Sequence, residues 1–436
     1  MNNPTKRLIV IIFFALLTVM GALFYLMPDK PTFSEQENRL LAEPPELTAD
    51  ALLSGTFTAE YDAYYSDNFP YREKLINIAN LIREDLRSVG GNDGYQLVVL
   101  DGEGDPDGDF GEPEVSDSDV SGSDAALEDE IPKDVALDGG YWNKSYLVCD
   151  DTVLSLPRQV PSSEAAQHAF AQMVNDTQQK FPQTNVYCAI APISSAYYLP
   201  TELRTPERDQ TVMINTVYND LIPPVQSVDI YSALERHSDE YIYFRTDHHW
   251  TGLGAYYAYE QFLRTAGKGD AVPLDELQSV SYDNFLGTLY KEVGGNSAMR
   301  ANPDTVICYD IPGPYTATYH YKDGRTKREK PLVALDYEGS TKYSAFTYGD
   351  NPLIVVETEH EDCGSILVFK DSYGNAFVPF LAMSYERVIV ADPRYPIPSV
   401  TELVETYEVD NILFLYNLNN ITHQYRVYEY NKLLNK

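Results

Sequence analysis

Tryptophan and histidine are scarce in this sequence, with two and seven among 436 residues. Basic residues are few as well: 32 Lys and Arg stand against 66 Asp and Glu, for a formal charge of −34. That balance favours solubility and argues against nucleic acid or an anionic surface as the main partner. The four cysteines, Cys149, Cys188, Cys308 and Cys363, are scattered. They form no CxxC pair and no Cys/His metal spacing, so a thiolate metal centre does not organise the chain. Their even number permits disulfides, but the pairing cannot be read from sequence. Cys188 and Cys363 lie in or near apolar runs and read as core residues.

What is present begins with one long apolar run. Leu8 to Met27 holds twenty residues that, as a helix, would span about 30 Å, enough for a bilayer core. Lys6 and Arg7 precede it and Pro28-Asp29 stop it, so residues 1–7 are expected in the cytoplasm and the bulk outside. The run is long for a signal peptide, and no A-x-A cleavage site follows. The expected localisation is the cell membrane, single-pass, with the bulk extracytoplasmic. Residues 28–100 read as a polar tether, two helices and the short strand Tyr95–Leu100. Phe57, Tyr61 and Tyr64-Tyr65 give the first helix an aromatic face, and the second runs through Leu75 to Leu86.

Residues 101–138 are acidic: Asp101 to Asp134 holds 14 carboxylates and one Lys, hence −13 of the −34. Low hydrophobicity and one charge sign predict a solvated linker. The acidic ladder superficially copies an EF-hand loop, but Pro106 replaces the glycine of the sharp turn.

From residue 139 to 436 the pattern is α/β. Predicted strands are Val186–Ala191, Val225–Tyr231, Ile354–Val356, Ser365–Phe369, Arg387–Ala391 and Asn411–Tyr416. Helices are predicted over Ser163–Phe181, Thr211–Leu221, Gly252–Thr265, Gly374–Met383, Ser399–Tyr407 and Thr422–Leu434. Such alternation implies a mostly parallel sheet whose ligands gather at the carboxyl ends of its strands. Residues 286–351, rich in Tyr, Thr and Gly, predict a β-rich insertion with a hairpin at Asp323-Gly324. Many of the 35 tyrosines lie in alternating runs suited to half-buried sheet packing.

Two segments carry chemistry. Tyr243-Phe-Arg-Thr-Asp-His-His-Trp250 sets two histidines beside an Asp and a Trp, just before a helix with Thr251 as N-cap. Lys370-Asp-Ser-Tyr-Gly374 follows a buried strand and opens a helix, which lifts Ser372 above the sheet. Helix-start N–H groups of Tyr373, Gly374 and Asn375 could stabilise an oxyanion there. A serine hydroxyl needs a base. His249 can serve, with Asp247 accepting from its Nδ1–H and fixing the tautomer. In an extended segment His248 faces the other way. Trp250 would wall the pocket or stack on a sugar ring, and Arg245, Lys370 and Arg394 could make the cleft locally basic. Each half also has a plain structural reading: adjacent histidines pack or cap, and a serine at a helix start caps.

Thr246-Asp-His-His-Trp-Thr251 before a Gly/Ala/Tyr-rich helix resembles the DHHW protein family, itself similar to the alginate O-acetyltransferase proteins of the SGNH-hydrolase-like superfamily. Ser34-Glu-Gln-Glu-Asn-Arg39-Leu, Asp67-Asn-Phe-Pro-Tyr-Arg72, Phe285-Leu-Gly-Thr-Leu-Tyr290 and Lys370-Asp-Ser-Tyr-Gly374 extend the likeness from Leu8 to about Tyr395. The resemblance implies a three-layer α/β/α fold. It places the catalytic Asp, His and Ser on Asp247, His249 and Ser372. Two features depart from the superfamily: Lys370 stands where Gly is usual, and no G-x-N-D block occurs. Asn375 and Asn417 are the candidate amide donors.

The implied function is O-acyl (acetyl) transfer to, or ester hydrolysis on, a cell-surface polysaccharide. No metal or cofactor is expected. A membrane-bound acyltransferase would supply the acyl group, and the bilayer would hold the N-terminal helix. A non-catalytic glycan-binding or assembly protein on the same fold is the alternative. A metal-dependent phosphoesterase built on Asp247-His248-His249 lacks a second ligand cluster.

Overall fold

Two runs show no polar alternation, Ser365–Lys370 and Asn411–Asn417, and every residue in them is buried. Strands buried on both faces belong in the middle of a parallel sheet, and that is where these two lie. The computed structural model describes residues 142–435 apart from 158, 296, 322–326 and 423. Before them it describes residues 18, 21, 24–25, 33–34, 39–40, 44–45, 47–48, 56–70 and 96–102. The described residues up to 70 belong to one compact unit and those from 96 onward to another.

In the first unit, helix Thr56–Asp67 carries the expected aromatic face. Phe24 packs against Tyr64 and Tyr65, and the hydroxyls of Tyr25 and Tyr61 are 2.6 Å apart. Asn68 closes the helix, its Nδ2 donating to Tyr64 O. The second predicted helix and the acidic segment after Gly102 lie outside the described residues. So does nearly all of Leu8–Met27. No helix of the described residues is long and apolar enough to cross a membrane.

The second unit is a mixed α/β fold around an eight-stranded sheet. Its strands, in chain order, are β1 (Asn185–Ala191), β2 (Gln226–Val228), β3 (Tyr315–His320), β4 (Lys327–Glu329), β5 (Leu353–Thr358), β6 (Ser365–Lys370), β7 (Arg387–Ala391) and β8 (Asn411–Asn417). The spatial order is β4-β3-β5-β7-β6-β8-β1-β2. The five strands from β7 to β2 run parallel, while β5, β3 and β4 add antiparallel pairs at one edge. The chain leaves β6 for β7 on one side and later returns to β8 on the other. In open α/β sheets such a reversal marks where ligands gather, and here it lies at the carboxyl end of β6, directly before Ser372.

Helices α1 (Pro161–Lys180), α2 (Gln210–Asp220), α3 (Gly252–Ala266), α4 (Gly374–Leu381), α5 (Val400–Tyr407) and α6 (Gln424–Leu434) follow the predicted periodicity. α1 packs on α2 and α6, and α3 packs on α4. Thr251 caps α3, its Oγ1 accepting from Gly254 N at 3.2 Å, a contact worth about 1 kcal/mol.

Three details differ from the sequence expectation. The strand expected over Val225–Tyr231 stops at Val228, because Asp229 Oδ1 accepts from Ser232 N and starts a helix over Ile230–Glu235. The region 286–351 leaves the main sheet only in part: Asp304–Tyr309 pairs with Ser279–Phe285 in a separate two-stranded sheet, whereas the hairpin β3–β4 extends the main sheet's edge; the turn at Asp323-Gly324 lies outside the described residues. All four cysteines are free; Cys188 and Cys308 are buried, but Cys363 is half-buried rather than in the core.

Candidate active site

The approach to the histidine pair is pinned by one buried carboxylate. Asp304 accepts from Arg245 N (3.1 Å), Thr246 N (2.8 Å) and Thr246 Oγ1, and from the Tyr241 hydroxyl. Beyond that point the chain turns in a series of bends until Trp250, which bridges back to Tyr243. Asp247 Oδ1 accepts from His249 N at 3.0 Å, a local side-chain turn that draws Asp247 under the imidazole. The segment is not extended, so the expected opposition of the histidines fails: their ring centroids are 3.8 Å apart.

Ser372 follows β6 in a turn held by its neighbour Asp371. Asp371 Oδ1 accepts from Tyr373 N (2.9 Å). Its Oδ2 accepts from Asn417 N (2.6 Å) and Asn420 Nδ2 (2.7 Å), at the end of the adjacent strand β8. Burial raises the Asp371 carboxyl, opposed by these hydrogen bonds. At Gly374 an added Cβ would lie 2.6 Å from Lys370 Cβ, so a glycine is needed for the helix to pass this close.

The two halves are tied together by aromatic side chains. Trp250 Nε1 donates to Tyr373 O at 2.9 Å, and the Tyr373 hydroxyl donates to His248 O. The Tyr343 hydroxyl donates to Ser372 O at 3.0 Å. Burial pushes its phenol well above the ordinary range, so it remains a donor.

The outcome is a continuous chain. Asp247 Oδ1 lies 2.6 Å from His249 Nδ1, and His249 Nε2 lies 2.8 Å from Ser372 Oγ. All three residues are buried, with Ser372 7% and His249 6% exposed. Burial alone would raise the Asp247 carboxyl. The charges of His249 and His248, with hydrogen bonds from His249 and Thr288, outweigh it and hold the group well below the usual carboxylate range. An ionised carboxylate only accepts, so Nδ1 carries the imidazole proton and Nε2 offers a lone pair to the serine.

Thr288 completes the carboxylate's shell, donating from N (2.9 Å) and Oγ1 (3.2 Å) to Asp247 Oδ2. Thr288 and Tyr343 have no role in the sequence reading. Thr288 lies in the Phe285–Tyr290 motif, which is where a signal could be found. Tyr343 sits in an unremarkable run, and only the fold reveals it.

Several expected site residues have other duties. Trp250 is fully buried, so its ring cannot lie against a sugar. Arg245 donates to Asn302 O and Pro303 O and faces Asp304 (3.5 Å) and Asp151 (3.8 Å), so its charge is committed to that loop. Lys370 and Arg394 do not make a basic cleft. Lys370 Nζ reaches Asp350 (2.9 Å), Asn375 Oδ1 (2.7 Å) and Asp392 (3.1 Å), and Arg394 pairs with Asp350 and Asp392 at 2.7 Å each. Asn375 belongs to this network, its Nδ2 donating to Asp350 at 2.8 Å. The N–H groups of Tyr373 and Gly374 are turned to Asp371 Oδ1 and Asp371 O. These two N–H groups and the Asn375 side chain are therefore not aimed at an oxyanion.

Among the described residues, Asp247, His248 and His249 are the group whose donor atoms could surround a metal ion. Their lone pairs fit the role poorly. Both Asp247 oxygens accept two hydrogen bonds, and His249 Nε2 faces Ser372.

No functionally curated protein matches the sequence. Among solved structures, a DHHW family protein from Eubacterium siraeum DSM 15702 is 30% identical, with a TM-score of 0.58, covering 66% of this chain and 95% of that one. Bacillus cereus PatB1 is 23% identical, with a TM-score of 0.54, covering 64% of this chain and 97% of its own. PatB1 with a sulfonyl adduct is likewise 23% identical, with a TM-score of 0.53 and coverages of 64% and 95%. A sequence model described as DHHW protein matches residues 159–391, more than half of the chain and all of the Asp247–His249–Ser372 constellation. The chain belongs to the DHHW protein family.

Proposed function

We propose that this protein is a serine-dependent O-acyltransferase, acting with acetyl groups, or an esterase, on a cell-surface polysaccharide. The observation that carries the reading is the unbroken Asp247–His249–Ser372 hydrogen-bond chain at a sheet switch point. In the first step Ser372 Oγ attacks the acyl carbonyl and His249 Nε2 takes its proton. The bond to the leaving oxygen breaks as His249 returns that proton, leaving an acyl-serine. A sugar hydroxyl then gives its proton to His249 and attacks the acyl carbon. The Ser372 ester breaks, and the proton returns to Oγ. Water in place of the sugar makes the enzyme an esterase. Asp247 stabilises the imidazolium throughout.

Oxyanion stabilisation in this reading falls to the Ser372 N–H and Asn417 Nδ2. No hydrogen bond takes the Ser372 N–H among the described residues. Asn417 uses its Oδ1 on the N–H groups of Asn419 and Asn420, which leaves its amide as a donor. The reading includes an SGNH-hydrolase-like three-layer arrangement and an anchor at Leu8–Met27 with the bulk outside the cytoplasm. It also includes a membrane-bound acyltransferase as donor of the acyl group, since activated acyl carriers are made inside.

The test uses an aryl sulfonyl fluoride, chosen because PatB1 carries a sulfonyl adduct. The full chain in detergent should gain one adduct, located on Ser372 by peptide mass analysis, and Ser372→Ala should gain none while keeping its circular dichroism. Full labelling of Ser372→Ala would overturn the reading.

A further inference from the structure

The mechanism above leaves His248 without a task, yet its placement is specific. His248 Nδ1 lies 2.6 Å from Thr288 Oγ1, and the same Oγ1 lies 3.2 Å from Asp247 Oδ2. A threonine hydroxyl has one hydrogen and two lone pairs. Ionised Asp247 can only accept, so the hydroxyl hydrogen points to Asp247. The oxygen must then accept from His248 Nδ1–H. The direction of the whole chain follows: His248 Nδ1–H to Thr288 Oγ1–H to Asp247 Oδ2, with Asp247 Oδ1 on His249.

We propose that His248 is a positioning residue that acts through Thr288: it aims the Thr288 hydroxyl at Asp247 and so fixes the carboxylate that orients His249. This rests on the triad reading. Oδ1 is held by His249 N and Nδ1, and Oδ2 by the backbone N–H of Thr288 at 2.9 Å. The aimed Thr288 hydroxyl adds the second bond on Oδ2, so that both oxygens are held from two directions and the tilt of the carboxylate under His249 is fixed. Orientation losses of this kind are costly in catalysis even when no reacting atom is touched.

The stacking adds a constraint on charge. His248 and His249 rings are 3.8 Å apart at 37°, and an imidazolium forms on His249 when it takes the serine proton. A second cation at that distance opposes it. Asp247, 3.9 Å from its Nδ1, the Thr288 hydroxyl and the Tyr373 ring at 6.2 Å also face His248. Asp247 is already shared with His249, so a neutral His248 with its proton on Nδ1 serves the reaction best.

Two substitutions separate donor from ring. His248→Asn puts an amide N–H close to the Nδ1 position without a titrating charge, whereas His248→Phe keeps a ring and loses the donor. The full chain is labelled with an aryl sulfonyl fluoride at neutral pH, following the rate of adduct formation on Ser372. His248→Asn is expected within about twofold of the parent. His248→Phe is expected about tenfold slower, the order of one lost hydrogen bond to a charged group. Equal neutral rates for Asn and Phe, with the adduct on Ser372, would overturn the role of His248 and leave the triad standing. An adduct absent from Ser372 in the parent would overturn both.

Discussion

The Tyr343 ring lies flat against the His249 imidazole, with centroids 3.8 Å apart and 11° between planes, while its hydroxyl donates to the Ser372 carbonyl at 3.0 Å. One side chain therefore touches the base and the nucleophile's backbone, although 29 positions separate it from Ser372. The stack restricts rotation of the imidazole, and Asp247 then sets which nitrogen meets the serine. Tyr343→Phe keeps the stack and loses one hydrogen bond, so it should cost about 1 kcal/mol of stability and leave sulfonyl labelling within a few-fold. Tyr343→Leu loses the flat face. It should cost about 2–4 kcal/mol of stability and slow labelling by roughly 100-fold. Thermal unfolding and labelling rates measure both; a Leu variant that labels at the parent rate would remove Tyr343 from the orienting machinery.

Gly287 offers a test from the other side of the triad. A Cβ there would fall 2.2 Å from Asp247 Cβ and 2.4 Å from its Oδ2. Neither backbone can yield freely, because Gly287 N donates to Thr246 Oγ1 and Thr288 N to Asp247. Gly287→Ala should push the carboxylate off His249 Nδ1. A displacement near 1 Å at a catalytic group costs about 100-fold in rate. Labelling of Ser372 should fall by that order while the far-ultraviolet circular dichroism stays near the parent's. Unchanged labelling would mean that Asp247 does not need its present position.

Chelation separates the hydrolase-like reading from a metal site at Asp247-His248-His249. The carboxylate accepts four hydrogen bonds and His249 bridges to Ser372, so an ion would have to displace these partners. Exhaustive treatment with a chelator should leave the labelling rate unchanged, and added zinc should slow it by competing for His249. Loss of labelling on chelation, restored by a metal, would favour a metal-dependent mechanism.

Much of this architecture is legible in the sequence because it depends on local chemistry. β6 and β8 are apolar without a break from Ile366 to Phe369 and from Ile412 to Tyr416, so they read as central strands. Asp247-His249 and Ser372 are each half of a site, and each half names what it lacks. Legibility ends where a side chain's partner is remote. Arg245 looks free until Asp304 closes on it from 59 positions away, and Lys370 until Asp350 and Asp392 arrive from either side. Trp250 beside a polar cluster suggests a binding surface, yet its indole is needed inside to hold Tyr373 O. His248 fails for a backbone reason: alternation of faces holds for strands, and this segment bends. Charge and aromaticity mark residues as able to bind, but only tertiary partners show whether that capacity is already used.

The buried network behind Ser372 should govern how stability responds to pH. Burial raises the Asp350 carboxyl, but the charges of Arg394 and Lys370 outweigh it and hold the group well below its ordinary 3.8. Burial lowers the Lys370 ammonium, but Asp350 and Asp392 outweigh it and hold the group above its ordinary 10.5. A depressed carboxyl stabilises the fold above its unfolded value and loses that contribution as pH falls through the folded value. A raised ammonium stabilises below its unfolded value and loses that contribution as pH rises through the folded value. The network thus contributes its full amount between about pH 5 and 9 and fades on both sides. Lys370→Met strands Asp350 and Asp392 with Arg394 alone, and removing one partner of a buried ion pair costs about 3–5 kcal/mol. Urea unfolding should show that loss at neutral pH. It should shrink towards about pH 3, where the unfolded carboxylates are largely protonated and the parent is losing the same contribution. A loss that stays constant from neutral to acid pH would mean that Lys370 acts through packing of its alkyl chain against Gly374, not through its charge.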